Sequence, residues 1–187
     1  MDELTSLARA AGCGDRHALA TFVQRTQGEV WRFCAHLVDP AAADDLAQET
    51  YLRAIPALRR FRGEAQVRTW LLAIARRVCA AEIGARSRDR KLAIRLAAEP
   101  TASLGQQPEP PGAQATVDSL IAGLEPERKA AFVLTQLLGC SYAEAATVCG
   151  CPVGTIRSRV ARAREDLDAM LSDPAERPRS AGVHGSC

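Results

Sequence analysis

The chain has 187 residues, of which 47% are hydrophobic, 4% aromatic and 25% charged. This length allows one large or two small domains, and the low aromatic content with few strand-forming runs favours helices. The start MDELTSLARAAG is acidic and unlike a signal peptide, and no apolar run approaches membrane-spanning length. We therefore expect a cytoplasmic protein that does not insert into a membrane.

The net charge of +2 is unevenly distributed along the chain. Residues 1–97 carry a net charge of +5, residues 98–118 carry −3, and residues 119–187 are neutral. A local excess of cations is what a site for a polyanion requires. The seven cysteines include a Cys-x-Cys pair with no histidine nearby, which is not a standard zinc ligand set. We therefore expect no metal and no other cofactor.

The first helices predicted by hydrophobic spacing cover residues 4–38, with a turn at residues 12–15. Asp39-Pro40 ends this run, because the residue before proline is biased away from helix. A third helix is predicted over residues 41–58. Its inward side is expected to be apolar and carries Ala47, Tyr51, Ala54 and Leu58.

The other side of this third helix is acidic. Carboxylate and amide groups surround one leucine there, at Asp44, Asp45, Gln48, Glu49 and Leu52. DNA phosphates would be repelled by such a surface, so it is either a plain solvated face or a docking site for a basic protein. In the second case Leu52 or Leu46 would be the apolar anchor.

Residues 59–91 form the basic segment of the chain. Gly63 marks a loop, and a helix is predicted over about residues 69–83. On this helix Trp70 is expected to face the hydrophobic core of the domain, whereas Arg76 and Arg77 are expected to face outward. A loop carrying Phe61, Arg62 and Arg68 beside such a helix could hold unstacked bases and their backbone.

Residues 98–118 and 173–187 lack a hydrophobic period. Their Pro, Gly, Gln and Ser content cannot bury enough surface to order a fold, so we predict a flexible linker and a disordered tail. Between them, residues 119–172 predict a second small helical domain.

That second domain contains a predicted helix-turn-helix at residues 141–167. Ser141 and Glu144 are spaced for a capping box, Gly150 can close the first helix, and Pro152 stands where the second begins. The second helix has an apolar side and a polar side with Thr155, Arg157, Ser158, Arg162 and Arg164. Arg and hydroxyl groups suit the DNA major groove, although a solvated arginine face on an ordinary helical hairpin is the alternative.

Three segments occur in the order DDLAQETYLRA, RTWLLAIARRV and LLGCSYAEAATVCGCPVGTIRSRVARAREDL. In this order they resemble the bacterial extracytoplasmic-function sigma factors, two-domain specificity subunits of RNA polymerase. The second half is most similar to the actinobacterial sigma C subgroup. The resemblance implies an all-α fold with a region 2 bundle at residues 1–97, a linker at 98–118 and a region 4 helix-turn-helix domain at 119–172.

The resemblance also implies a role for each motif. Core polymerase, through the clamp helices of its largest subunit, would be contacted by Asp44, Asp45, Leu46, Gln48, Glu49 and Leu52. The downstream (−10) element would be melted and one flipped base captured by Phe61, Arg62, Arg68, Trp70, Arg76 and Arg77. The upstream (−35) element would be read as duplex by Tyr142, Thr155, Arg157, Ser158, Ala161 and Arg162.

One residue departs from the family pattern, because Arg77 stands where the family commonly has Asn. Base specificity at the downstream element is expected to differ if that amide reads the flipped base. The resemblance further implies that an anti-sigma factor can clamp both domains. It implies a non-enzymatic subunit, since RNA synthesis belongs to the polymerase.

Two other classes of protein share some of these features. A conventional helix-turn-helix regulator would need a receiver or ligand-binding domain before residue 100, and it leaves the acidic helix without a purpose. A nucleic-acid-modifying enzyme would need clustered catalytic groups. The chain has scattered histidines, no phosphate-binding glycine loop, and no further metal ligand predicted near Asp44 and Asp45.

Overall fold

The computed structural model describes residues 3–61, 63, 66–96 and 113–172. In these ranges the chain forms eight α-helices and no strand, which confirms the predicted all-α fold. The first four helices make up the N-terminal half and the last four the C-terminal half. Arg62, the predicted linker up to residue 112 and the predicted tail at residues 173–187 lie outside the described residues.

The helices of the N-terminal half are α1 (Glu3–Gly12), α2 (Arg16–Leu37), α3 (Ala43–Leu58) and α4 (Val67–Leu96). The Asp15 carboxylate caps α2 by accepting hydrogen bonds from the His17 and Ala18 amides at 2.9 and 3.0 Å. A 3₁₀ turn at Pro40–Ala42 leads into α3. Both turns lie where the sequence predicted the breaks, because Asp accepts from free amides at a helix start.

The core of this half is formed by α2, α3 and α4. Phe22, Phe33, Leu71 and Leu72 are fully buried between these helices. A buried hydrogen bond of 2.7 Å joins the Thr26 hydroxyl on α2 to the Tyr51 hydroxyl on α3. The outward side of α3 is therefore held at a fixed orientation by apolar packing and one polar tie.

Helix α4 extends thirteen residues beyond the predicted end at residue 83. The prediction stopped there because Gly84 weakens a helix, by about 1 kcal/mol relative to Ala. The following residues, ARSRDRKLAIRL, are mostly strong helix formers, so the helix continues through the glycine. The basic part of α4 is consequently much longer than the sequence suggested.

The helices of the C-terminal half are α5 (Ala113–Ala122), α6 (Pro126–Phe132), α7 (Tyr142–Cys149) and α8 (Val153–Ser172), with a π-helical turn at Val133–Leu137 after α6. Helix α5 begins inside the interval predicted as linker, so residues 113–118 are helical. Two alanines in its first turn favour this, because alanine has the highest helix propensity.

Helices α7 and α8 form the predicted helix-turn-helix. The Ser141 side chain accepts from the Glu144 amide at 3.2 Å, and the Glu144 carboxylate accepts from the Ser141 amide at 2.8 Å. Gly150 closes α7 in the left-handed region at φ 64°. Ile156 and Val160 of α8 are buried against α7, which leaves the opposite side of α8 facing outward.

The two halves pack against each other. Their buried apolar residues form one continuous cluster. Helix α4 packs on α7, and α2 packs on α5, α6 and the π-helical turn. This packing places part of α4 at the junction between the halves, and it decides which basic side chains are free.

Candidate polymerase- and DNA-binding surfaces

The acidic face of α3 consists of Asp44, Asp45, Gln48, Glu49 and Leu52. Leu52 is 62% exposed among these polar groups, so it is available as an apolar anchor. Leu46 is only 7% exposed because its side chain turns into the core. Leu46 therefore offers little surface to a partner, and Leu52 is the better placed of the two anchor candidates.

Trp31 of α2 borders the acidic face and was missed by sequence reasoning. Its indole Nε1 donates to the Asp44 carboxylate at 3.0 Å, and its side chain is 37% exposed. A groove of about 400 Å³ separates α2 from α3 beside it. The available signal was an aromatic residue set between Val30 and Phe33, outside the inward-facing stripe of α2.

The loop before α4 and the first turns of α4 form the first basic surface. Phe61 and Trp70 are half-buried, and their ring centroids lie 5.2 Å apart with a tilt of 48°. This ring contact packs Phe61 against α4, and both rings pack against the hydrophobic core. The packing agrees with the expectation that Trp70 belongs to the core. Arg77 is exposed, as predicted.

Arg68 does not point freely into solvent. Its Nε donates to the Glu29 carboxylate at 2.9 Å, and its Nη2 donates to the Leu138 carbonyl at 2.6 Å. The hydrogen bond that Arg68 donates to Glu29 raises the pKa of Arg68 above its already high usual value. Arg68 therefore stays charged and links α2 and α4 of the N-terminal half to the turn before α7.

Arg76 is also engaged, although the sequence predicted it to face outward. Its side chain is 19% exposed, and its Nη2 lies 2.7 and 2.8 Å from the two Glu127 carboxylate oxygens. Arg159 of α8 reaches the same carboxylate at 3.0 Å. Glu127 therefore bridges an arginine of α4 and an arginine of α8 across the junction of the two halves.

The outward side of α8 forms the second basic surface. Its exposed members are Arg157, Ser158, Ala161 and Arg162. Tyr142 at the start of α7 is exposed, and Thr155 is half-buried. No described residue pairs with Arg157 or Arg162, whereas Arg164 donates to the Gln136 side chain at 2.8 Å. This surface is presented on a rigid helix with its cations free.

The cysteines behave mainly as small buried side chains. Cys34, Cys79, Cys140 and Cys149 are buried, and burial raises the pKa of Cys149 to about 11, which suppresses its thiolate. The described residues contain no group of three or more side chains able to hold a metal ion. None of the helices in the described ranges is long and apolar enough to span a bilayer.

Comparison with known families agrees with this arrangement. The chain matches Sigma-70 region 2 over residues 22–89 and Sigma-70 region 4 over residues 114–167. The first match contains the acidic face and the start of α4, and the second contains the helix-turn-helix. A conventional regulator, the alternative left by the sequence, has no reason to carry region 2.

Curated relatives extend the match over nearly the whole chain. The ECF RNA polymerase sigma factor SigC of Mycobacterium tuberculosis is 50% identical over 175 residues, which cover 92% of this chain and 91% of that protein. The RNA polymerase sigma-H factor of Pseudomonas aeruginosa is 35% identical over 170 residues, covering 84% and 88%.

Solved structures show the same fold. CnrH in complex with the cytosolic domain of CnrY matches with a TM-score of 0.67 and 28% identity, covering 91% of this chain and 97% of that one. The sigma factor RpoE of Bartonella quintana, solved with the anti-sigma factor NepR, matches with a TM-score of 0.64 and 26% identity, covering 83% and 98%. The chain therefore belongs to the extracytoplasmic-function sigma factors, which direct RNA polymerase to specific promoters.

Proposed function

We propose that the three surfaces divide the work of a sigma factor. The acidic face of α3 binds core polymerase, the first basic surface captures the downstream element, and the second basic surface reads the upstream element. The observation that carries this division is the separation of charge, because the acidic face and the exposed side of α8 lie on different halves. The chain acts in the cytoplasm as a non-enzymatic subunit.

The acidic face suits a basic protein surface, here the clamp helices of the largest polymerase subunit. Its exposed carboxylates would repel phosphates but pair with Lys or Arg. Leu52 and Trp31 supply exposed apolar surface beside those carboxylates, and binding hot spots combine buried anchors with surrounding polar groups. The Trp31 hydrogen bond fixes Asp44, so this part of the surface is ordered before binding.

The downstream element would be held by the loop and α4. Base capture from a melted strand needs cations along the backbone and a firm wall against which a base can stack. Phe61 and Trp70 provide the wall, while Arg68 and Arg77 provide cations. The engaged state of Arg68 and Arg76 means that they must exchange protein partners for DNA.

The upstream element would be read by α8 in the major groove. Arg157, Ser158, Ala161 and Arg162 lie near the start of this helix, where helix-turn-helix proteins contact base edges. An anti-sigma factor is the further partner we propose. The CnrH and RpoE structures, which resemble this chain, are titled as complexes with CnrY and NepR.

The first test reverses charge on the acidic face with Asp45→Lys and Glu49→Lys in the full chain. We expect at least a tenfold loss of affinity for core polymerase, which corresponds to about 1.4 kcal/mol or more. The matched control reverses two exposed acids of α8 with Glu165→Lys and Asp168→Lys. The measurements are stoichiometric assembly with core polymerase and run-off transcription from a promoter library.

The two outcomes separate clearly. Loss of assembly in the α3 variant, with assembly retained in the α8 control, supports the assignment of the acidic face. Normal assembly of the α3 variant would contradict it. Run-off transcription by the wild-type chain identifies the promoter templates that the later experiments use.

A further inference from the structure

A cleft of about 770 Å³ lies between the end of α1, the start of α2 and the end of α3. Cavities of this volume are typical of small-molecule sites. None of the described residues that line it belongs to the acidic face of α3, to the loop at residues 61–68 or to α8. We call it the arginine cleft, because its lining includes Arg16, Arg53, Arg59 and Arg60.

The backbone around the arginine cleft is closely packed. A Cβ at Gly12 would lie 2.6 Å from the Leu58 carbonyl oxygen, so the end of α1 rests directly on the end of α3. Gly14 then turns the chain in the left-handed region at φ 100°, and the Asp15 amide donates to the Ala10 carbonyl at 3.1 Å. These contacts hold the three helix ends together, so the cleft is formed without a ligand.

The arginines of the cleft are poorly neutralised. Three of them are exposed and form no ion pair with a residue that the structure describes: Arg16, Arg59 and Arg60. Arg53 pairs with Glu49 at 2.7 Å. Asp15 also lines the cleft, but its Oδ1 accepts hydrogen bonds from the first amides of α2. Like charges gathered in one cleft repel one another, and a bound anion removes that repulsion.

Helix electrostatics account for some of these cations but not for all. Arg59 and Arg60 follow the end of α3, where the helix dipole favours a cation. Arg16 is the first residue of α2, where the dipole favours an anion, and α2 has no acidic residue in its first turn. A cation at that position does not stabilise α2, which favours a role for Arg16 in binding an anion.

The cations are grouped rather than spread along a path. Arg53 and Arg59 are about 9 Å apart along the axis of α3, and Arg16 lines the same cleft from α2. A nucleic-acid strand is held by cations that follow a groove. Grouped arginines suit several phosphates on one small ligand, because each guanidinium can form paired hydrogen bonds with phosphate oxygens.

The rest of the lining is largely apolar. Its apolar members are Ala11, Leu19, Ile55, Pro56 and Ala57. Leu19 packs against the hydrophobic core, whereas Ile55 is 37% exposed. A flat ring can lie against such a wall, and the plane of a guanidinium can stack on it. The cleft therefore combines donors for phosphates with a wall for a base.

We propose that the arginine cleft binds a free nucleoside polyphosphate. Its phosphates lie among Arg16, Arg59 and Arg60. Its base lies against Leu19 and Pro56. This binding goes beyond promoter recognition, because the described lining of the cleft shares no residue with the proposed polymerase- and DNA-binding surfaces. Phosphates of a nucleic-acid strand have the same chemistry, so the test separates a free nucleotide from a strand.

The test is calorimetric titration of the full chain with ATP in the absence of divalent cations. The cleft variant is Arg16→Gln with Arg59→Gln, and we expect it to lower the affinity for ATP roughly tenfold or more. Adenosine, which lacks the phosphates, should bind the wild-type chain roughly tenfold more weakly than ATP. Inorganic triphosphate, which lacks the base, should bind more weakly than ATP and should also lose affinity in the cleft variant.

Arg32→Gln with Arg90→Gln is the matched control. Both arginines are exposed on the same half, and neither lines the cleft, so only the net charge changes in the same way. We expect the control to keep the wild-type affinity for ATP. The melting temperature of the cleft variant without ATP should be unchanged or raised, because two cations that repel their neighbours are removed. If that variant does not fold, Arg60→Gln alone repeats the measurement.

Absence of saturable ATP binding by the wild-type chain would overturn the proposal, as would equal losses in the cleft variant and the control. A single-stranded oligonucleotide provides the remaining comparison. Unchanged oligonucleotide binding by the cleft variant supports a free nucleotide as the ligand. Displacement of ATP by the oligonucleotide, with equal loss of both in the cleft variant, would assign the cleft to a nucleic-acid strand and overturn the proposal. The titration uses neither polymerase nor promoter, so its failure is distinct from failure of the proposed function.

Discussion

The two surfaces proposed to bind DNA differ in what their arginines already contact. On α8, Arg157 and Arg162 are exposed and unpaired with any described residue. At the start of α4, Arg68 bonds the Leu138 carbonyl and Arg76 bonds Glu127, both from the other half of the chain. The arginines of the α8 surface are open to solvent, whereas those at the start of α4 are partly occupied by contacts within the protein.

This difference matches the two tasks. Reading a duplex requires a preformed helix with free side chains, and α8 provides it. Under the proposed function, a melted strand is held by the arginines at the start of α4, which must first leave Glu127 and the Leu138 carbonyl. The covered contacts are polar, so phosphate oxygens can replace the carboxylate and carbonyl acceptors of both arginines.

The largest expected effect comes from the linker, since both surfaces must reach their elements at once. We expect a Gly/Ser replacement of residues 98–112, at equal length, to keep most promoter-dependent run-off transcription. Deleting ten of these residues is expected to abolish it, because the tether then limits simultaneous binding. An inactive Gly/Ser chain would instead show that this segment has a sequence-specific role.

The next effect concerns base reading by the open surface. Arg157→Ala or Arg162→Ala should cost about 1–3 kcal/mol of discrimination at one or two base pairs, as expected for loss of a bidentate arginine–guanine contact. Arg164→Ala is the matched control, because Arg164 bonds Gln136 and lies about two turns beyond Arg157 along α8. It should weaken binding only slightly and evenly across sequences.

Salt-varied binding of the full chain to cognate and singly substituted duplexes measures this difference. Equal losses for all three variants on every duplex would mean that α8 positions the domain without reading sequence. Because the surface is already open, the effects should not depend on whether the halves are packed together.

The sequence predicted the open surface better than the covered one. The signals for α7 and α8 are local: the capping residues, the closing glycine and the apolar period of α8. The structure forms the capping hydrogen bonds and the left-handed glycine that these signals predict. The partners of Arg68 and Arg76 lie 70 and 51 residues away along the chain, so no local pattern could indicate them. The burial of Leu46 was not predicted for a related reason, because helical spacing cannot tell the edge of a buried face from the surface beside it.

The covered surface can be exposed by changing one residue. Glu127→Lys places a third cation between Arg76 and Arg159, so repulsion replaces the bridge. Glu127 is 42% exposed and water screens the pair, so we expect only about 1 kcal/mol, or roughly fivefold. The affinity of the free chain for a single-stranded oligonucleotide with the downstream element should rise by that factor.

The affinity of Glu127→Lys for an upstream-element duplex, bound through α8, should stay unchanged. This duplex affinity is the internal control for the gain in single-strand affinity. Glu165→Lys adds the same charge to the C-terminal half on an exposed side of α8 and is the control for general attraction to DNA. Equal gains for both lysine variants would show that charge alone, rather than opening of the junction, accounts for the effect.

The smallest expected effect concerns α7, the helix against which α8 packs. Its start is stabilised by the Ser141–Glu144 capping box rather than by contacts at the junction of the halves. The hydrogen bonds from Ser141 hold the pKa of Glu144 below its usual range. Because the pKa of Glu144 is lower in the folded than in the unfolded chain, its carboxylate stabilises the fold at pH values above the unfolded pKa, near 4.3. This stabilisation disappears as the pH falls through the folded pKa. Glu144→Gln should therefore cost about 0.5–1 kcal/mol at neutral pH and flatten the acid dependence.

Hydrogen exchange of the α7 amides, measured between neutral pH and pH 4, reports this local stability directly. Glu165→Gln removes an exposed carboxylate from the same half and should leave both the exchange rates and their acid dependence unchanged. Exchange in α4 is the second comparison, because its first turns are stabilised by contacts with the other half and not by this cap. If Glu144→Gln raised exchange in α4 as strongly as in α7, the two surfaces would be one cooperative unit, and the contrast between them would disappear.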